Sequence, residues 1–156
     1  IALEVMKRIN EGKKKETIWK EVNEIIANSG QMFTVENLFS LTKGGRLSVA
    51  QAMIGTVLRI KPIIKVVDGK LKLDGKERTY KKVHKYLIES VKETLDDRKI
   101  LHFYVTNTHS KEGAQDLRKD LEEAFPHATF HMTDYLGPVF SIHVGKKGYG
   151  IAWYSL

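Results

Sequence analysis

Apolar positions recur every three to four residues from the first residue onward. Ile1, Val5, Met6 and Ile9 predict a helix closed by Gly12, and Ile18, Val22, Ile25 and Ile26 predict a second from about Glu16 to Asn28, ended by Gly30. No capping residue precedes Ile1 and no initiator Met stands there, so the first helix reads as the inside of a longer chain. Phe33-Thr34-Val35 reads as a short strand, and Val35 to Leu41 as a helical turn or two. Lys43-Gly44-Gly45-Arg46 then marks a boundary, because two adjacent glycines free the backbone directly before a new helix. That helix, about Leu47 to Ile60, is apolar around most of its circumference. Leu47, Ala50, Ile54 and Leu58 line one side, and Val49, Met53, Val57 and Ile60 the next, which predicts burial on two sides.

Beyond it, Ile63 to Val67 and Lys70 to Leu73 flank Asp68-Gly69, the pattern of a two-residue hairpin. Tyr80, Val83, Leu87, Val91 and Leu95 predict a long amphipathic helix. Ile100 to Val105 is nearly continuous in apolar residues and reads as a strand buried on both faces. Ser110 caps a predicted helix with Ala114, Leu117, Leu121 and Phe125 on one face, and Pro126 stops it. Ala128 to Met132 follows as a strand, so this stretch predicts a parallel right-handed crossover. A final strand, Tyr149 to Tyr154, comes after glycines at 145, 148 and 150. The expected fold is α/β: residues 44–156 form a domain with a mixed sheet flanked by helices, and residues 1–43 the helical tail end of a preceding α/β domain.

Composition narrows the chemistry. There is no cysteine among the 156 residues, which excludes disulfides, thiolate zinc sites and cysteine nucleophiles. No apolar run is long enough to span a bilayer, and the cytoplasm is the expected compartment. Lys and Arg number 26 against 19 acidic residues, a net charge of +7. That surplus attracts anions, whether nucleic acid, lipid headgroups at a transiently touched membrane surface or acidic proteins. The lysines are scattered, with one run at Lys13-Lys14-Lys15 and no aromatic residues interleaved, so a nucleic-acid partner has no motif behind it.

Six histidines stand at 84, 102, 109, 127, 131 and 143, none paired at helical spacing with another and none with an acidic ligand pattern; no metal is expected. There is no G-x-S-x-G elbow and no P-loop. Three places draw attention. Gly44-Gly45-Arg46 puts a guanidinium and free N–H groups at a helix start, which reads equally as an anion site or as a tight turn with a surface arginine. Arg78 precedes a helix and by itself reads as structural. His143 ends the apolar stretch after Gly137-Pro138 and is followed by glycines, so backbone amides could reach a ligand beside its imidazole.

Lys43-Gly44-Gly45-Arg46-Leu47-Ser48, then Ile60-Lys61-Pro62-Ile63-Ile64 with Asp68-Gly69, then Gly137-Pro138, His143-Val144-Gly145 and Gly150, occur in fixed order. Together they resemble the DegV family of fatty-acid-binding proteins, which includes the FakB subunits of bacterial fatty acid kinase. The resemblance covers essentially the whole chain and corresponds to the C-terminal half of a family member. It implies a carrier that needs no cofactor, clasps one long-chain fatty acid, and presents its carboxylate to a separate ATP-using kinase for acyl phosphate formation. It also implies that His143 belongs to the headgroup region, and that Arg46 and Arg78, with Gly44 and Gly45, serve the phosphorylated headgroup or the kinase surface. Met53, Ile54, Val57, Leu58, Phe140 and Ile142 would contact the acyl chain, in a cavity beside Leu47–Ile60 opening toward His143. Two departures stand out. The family's His-x-Gly-Pro-Gly becomes His143-Val144-Gly145-Lys146-Lys147, and the family's hydroxyl-bearing headgroup motif lies before Ile1. Two other classes remain open: a phosphotransferase-like domain using His143, and a basic nucleic-acid-binding adaptor.

Overall fold

Period-2 and period-3.6 patterns alternate along the chain, and the computed structural model, which describes residues 1–48, 60–94 and 100–156, turns them into one layered unit. Helices α1 (Ala2–Asn10) and α2 (Lys15–Ala27) precede strand β1 (Ser29–Thr34) and the short α3 (Phe39–Lys43). Strands β2 (Lys61–Val67) and β3 (Lys70–Glu77) form the hairpin, followed by α4 (Tyr80–Thr94). Then come β4 (Leu101–Thr108), α5 (Lys111–Ala124), β5 (Thr129–Met132), α6 (Gly137–Val144) and β6 (Gly148–Ser155). The hairpin turn is the expected one, with positive φ at both Asp68 (51°) and Gly69 (70°).

The six strands form one mixed sheet in the order β3-β2-β1-β6-β4-β5. β4 and β5 are parallel, joined across α5; every other neighbouring pair is antiparallel. β1 pairs with β2 through Met32, Phe33 and Thr34 and with β6 from Ser29 to Thr34. A division between residues 43 and 44 would therefore cut through the sheet, because a strand from the first segment sits near its middle. The expected short strand at Phe33–Val35 also begins earlier, since ladder bonds to β6 recruit Ser29, Gly30 and Gln31 despite their polarity.

One face of the sheet carries Met32, Ile63, Phe103, Val105, Ile151 and Trp153, covered by Val83, Leu87 and Val91 of α4 and Ala114, Leu117 and Leu121 of α5. Phe103, Leu87, Leu117 and Leu121 are fully buried; each such side chain contributes about 1.5–3 kcal/mol of transfer free energy. From Leu101 to Thr106, β4 is buried on this face alone. Its alternate residues His102, Tyr104 and Thr106 are half-buried on the other, so burial on both faces, as read from its apolar run, does not hold. Ser110 does occupy the position before α5, but its side chain makes no capping bond; Asn107 Oδ1 accepts from the Ser110 amide at 3.0 Å instead.

The second face is covered in two patches. At one end Val35, Leu38, Leu41 and Leu47 pack on Ile64, with Phe33, Leu71, Leu73 and Val144 around them. At the other, α1 is held by polar contacts. Glu4 is buried and accepts from the Tyr154 hydroxyl (3.0 Å), and Arg8 bridges Glu4 and Glu21 at 2.6 Å each. The apolar side of α1 faces outward, with Leu3, Met6 and Ile9 exposed to 68%, 58% and 59%.

Candidate functional site

Strand directions gather the three attention points at one end of the sheet. The C-terminal ends of β1, β3, β4 and β5 and the N-terminal ends of β2 and β6 share it. α3 and its following turn, Arg78 at the start of α4, and α6 with His143 all project from that end.

His143 sits on the last turn of α6, against the turn that follows α3. A Cβ added to Gly44 would lie 2.6 Å from His143 Nδ1 and 3.2 Å from the Ser40 carbonyl oxygen. Only a residue without a side chain admits the imidazole there. Nδ1 is buried and has no hydrogen-bond partner among the described residues. An unmade bond of this kind costs about 1–3 kcal/mol.

The Gly44-Gly45 turn differs from the expected anion cradle. It closes α3: the amides of Gly44, Gly45, Arg46 and Leu47 already donate to the carbonyls of Ser40, Thr42 and Leu41. Gly45 has φ +68°, the left-handed conformation of a helix C-terminus. No amide of this turn is left for a ligand. Arg46 is exposed and donates through Nη1 to the Gly44 carbonyl at 2.7 Å. Arg78 is exposed and makes no ion pair or hydrogen bond among the described residues. Both guanidiniums are thus available cations at the His143 end.

The turn after α6 is pinned by Thr108, which pattern reading missed. Its hydroxyl donates to the Gly145 carbonyl (2.8 Å) and accepts from the Gly148 amide (3.2 Å). Lys147 pairs with Glu36 at 2.9 Å, which holds the Glu36 carboxyl below the usual range and raises the lysine, while Lys146 stays exposed. A threonine closing an apolar strand was the available signal for this pin, but only the fold shows that its hydroxyl reaches the glycine turn.

Phe140 and Ile142 lie on α6 at 51% and 72% exposure, on a helix that buries none of its residues. Met53, Ile54, Val57 and Leu58 lie outside the described residues. A cavity of about 600 Å³ does open on the sheet, lined by Ile26, Gln31, Val66, Tyr104, Ala152 and Tyr154 among others. It lies toward the end opposite His143, where β1 and β4 begin and β2 and β6 finish.

Of the other histidines, His84 is buried between α4 and α5. Its Nδ1–H donates to Asp120 (2.6 Å), leaving Nε2 to accept from the Tyr149 hydroxyl (3.0 Å). Burial pushes the Tyr149 phenol well above its ordinary range. This chain ties the two helices to β6. Among the described residues no cluster of three or more His, Asp or Glu side chains could hold a metal ion.

The same architecture occurs in solved proteins. A fatty acid binding DegV family protein of Streptococcus agalactiae superposes with a TM-score of 0.84 at 28% identity, over 97% of this chain and 53% of its own. DegV of Bacillus subtilis, described as a fatty acid binding protein, gives 0.81 at 31% identity, over 99% and 55%. A DegV domain-containing protein of Listeria innocua is 34% identical over 138 residues, 88% of this chain and 48% of its own length. The chain spans about half the length of the curated relatives it matches. The family described as "Uncharacterised protein, DegV family" matches from residue 1 to residue 156. With agreement along its whole length and in every layer of the fold, the chain belongs to the DegV family.

Proposed function

We propose that this chain is part of a carrier for one long-chain fatty acid, holding the carboxyl group at the His143 end and the acyl chain along the second face of the sheet. The observation that carries the reading is the buried Nδ1 of His143, seated on Gly44 and without a hydrogen-bond partner among the described residues. The relatives from S. agalactiae and B. subtilis, described as fatty acid binding, support the ligand class. Burying an acyl chain at ~0.8 kcal/mol per methylene yields on the order of 10 kcal/mol. An unsolvated carboxylate would offset several of those, so it needs donors, and His143 supplies one. In the helix read from Leu47 to Ile60, Met53, Ile54, Val57 and Leu58 are the residues proposed to touch the chain.

The carrier performs no chemistry. A separate kinase transfers the γ-phosphoryl group of ATP to a carboxylate oxygen, releasing ADP and leaving an acyl phosphate. The exposed Arg46 and Arg78 would attract the added charge at the same end of the sheet.

Lipid extracted from the protein, expressed from its complete gene in a bacterial host, is expected to contain a long-chain fatty acid by mass spectrometry; its absence rejects the reading. His143→Ala is expected to fold normally and to slow acyl phosphate formation about 10- to 100-fold, the worth of one charge-assisted bond. An unchanged rate removes His143 from the headgroup site, and phosphate found on the protein instead of the lipid favours a phosphotransferase.

A further inference from the structure

Away from the His143 end, four aromatic rings from three neighbouring strands meet on the second face of the sheet. His102 and Tyr104 stand on β4, His131 on β5 and Tyr154 on β6. The His102 ring stacks on Tyr154 with centroids 4.8 Å apart and an interplanar angle of 6°, and on His131 at 5.9 Å. Tyr104 stacks on His131 at 4.5 Å and on Tyr154 at 6.3 Å. Inside this array the His102 Nδ1 is buried and has no hydrogen-bond partner among the described residues.

The array also holds a helix in place. The Tyr154 hydroxyl donates to Glu4 at 3.0 Å, which ties α1 to β6, and Arg8 links Glu4 to Glu21 of α2. A helix of nine residues does not persist by itself in water, and the apolar side of α1 faces outward, so this polar tie decides whether α1 stays folded on the sheet. Three charged or titratable groups act on His102. Glu4 favours a proton on the imidazole, while His131 of β5 and Lys7 of α1 oppose it. Burial is the largest influence and holds the imidazole below its ordinary range. Glu4 is held below the usual carboxylate range and Tyr154 well above the usual phenol range, so both keep their charge states near neutrality.

We infer that His102 is an acid-sensitive latch beneath α1: a proton taken up at Nδ1 places a buried cation between the Tyr154 and His131 rings, beside Lys7, and releases α1 from the sheet. Ile1, at the start of α1, and Tyr154 both line the cavity of about 600 Å³, so the release removes one of its walls. The contribution of His102 to docking is complete above its unfolded value of about 6.5. It is lost as pH falls through the lower folded value. Nothing in this latch depends on which ligand the protein carries.

Amide hydrogen exchange of residues 5–10, followed by NMR on protein expressed from the complete gene and corrected for the intrinsic pH dependence of exchange, reads the docking of α1 directly. In wild type the protection of these amides is expected to fall as the pH is lowered from about 7.5 to about 5. His102→Phe keeps a ring in the stack but takes no proton, and its protection is expected to stay level over the same range. Lys7→Glu changes an exposed residue and replaces an opposing charge with a favourable one, so its loss of protection is expected to be smaller than that of wild type. Level protection in wild type overturns the latch. So does a wild-type loss that persists in His102→Phe, which would move the titration to another group, or one undiminished in Lys7→Glu.

Discussion

Gly44 and Gly45 are adjacent, yet each is a glycine for a different physical reason, and two alanine substitutions separate them. At Gly45 the backbone has φ +68° and a Cβ would meet nothing within 4 Å. The cost of Gly45→Ala is therefore backbone strain alone, about 1–2 kcal/mol for a left-handed residue, offset by about 0.4–1 kcal/mol from a less flexible unfolded chain. A net loss near 1 kcal/mol lowers Tm by about 2–4 °C in a chain this size. At Gly44 φ is −78°, which alanine adopts freely, but its Cβ would stand 2.6 Å from His143 Nδ1. The imidazole is the part that can yield. Gly44→Ala is expected to change stability by less than about 1 kcal/mol while displacing the His143 ring. Thermal denaturation measures the first effect, and NMR of the histidine ring signals the second. Unmoved His143 signals in Gly44→Ala, or displaced ones in Gly45→Ala, would refute the assignment of the two roles.

Two further outcomes follow from the polar contacts. Thr108→Val keeps the side-chain shape but deprives the Gly145 carbonyl of its hydroxyl donor and the Gly148 amide of its acceptor, an expected loss of about 1–3 kcal/mol; Thr108→Ser should recover most of it in denaturant titrations, and a valine variant as stable as the serine one contradicts the pin. For Glu4, burial alone would raise the carboxyl, but the bonds from Arg8 and Tyr154 outweigh it and hold it below the usual range. Its contribution is thus fully present above the unfolded value of about 4.3 and is lost as pH falls through the lower folded value. Glu4→Gln should flatten that acid limb of stability against pH, and parallel curves for variant and wild type would show that Glu4 is not responsible.

Elements with strong local signals were legible in the sequence. Asp68-Gly69 fixed its hairpin because only residues tolerating positive φ make that turn. The periodic faces of α4 and α5 pointed to the core they occupy. β1 was only partly legible: Ser29-Gly30-Gln31 carries no apolar pattern and becomes strand through pairing with residues more than a hundred positions away. The exposure of Phe140 and Ile142 was not legible: apolar character suggests burial, but α6 lies at the sheet end and leaves both at the surface. His143 was singled out from neighbouring glycines, whereas the partner that matters is Gly44, brought against it by contact between α3 and α6. Thr108 and the His84–Asp120–Tyr149 chain depend wholly on tertiary placement and left no local mark.

The order β3-β2-β1-β6-β4-β5 carries a consequence for synthesis. The strand made last, β6, lies between β1 and β4, which otherwise never touch as sheet neighbours. A nascent chain that has reached residue 147 holds two partial sheets with raw inner edges, ready to pair with another molecule. Only when β6 is threaded between them do the two parts become one sheet, so the joining of the described strands waits on the arrival of residues 148–155 from the ribosome.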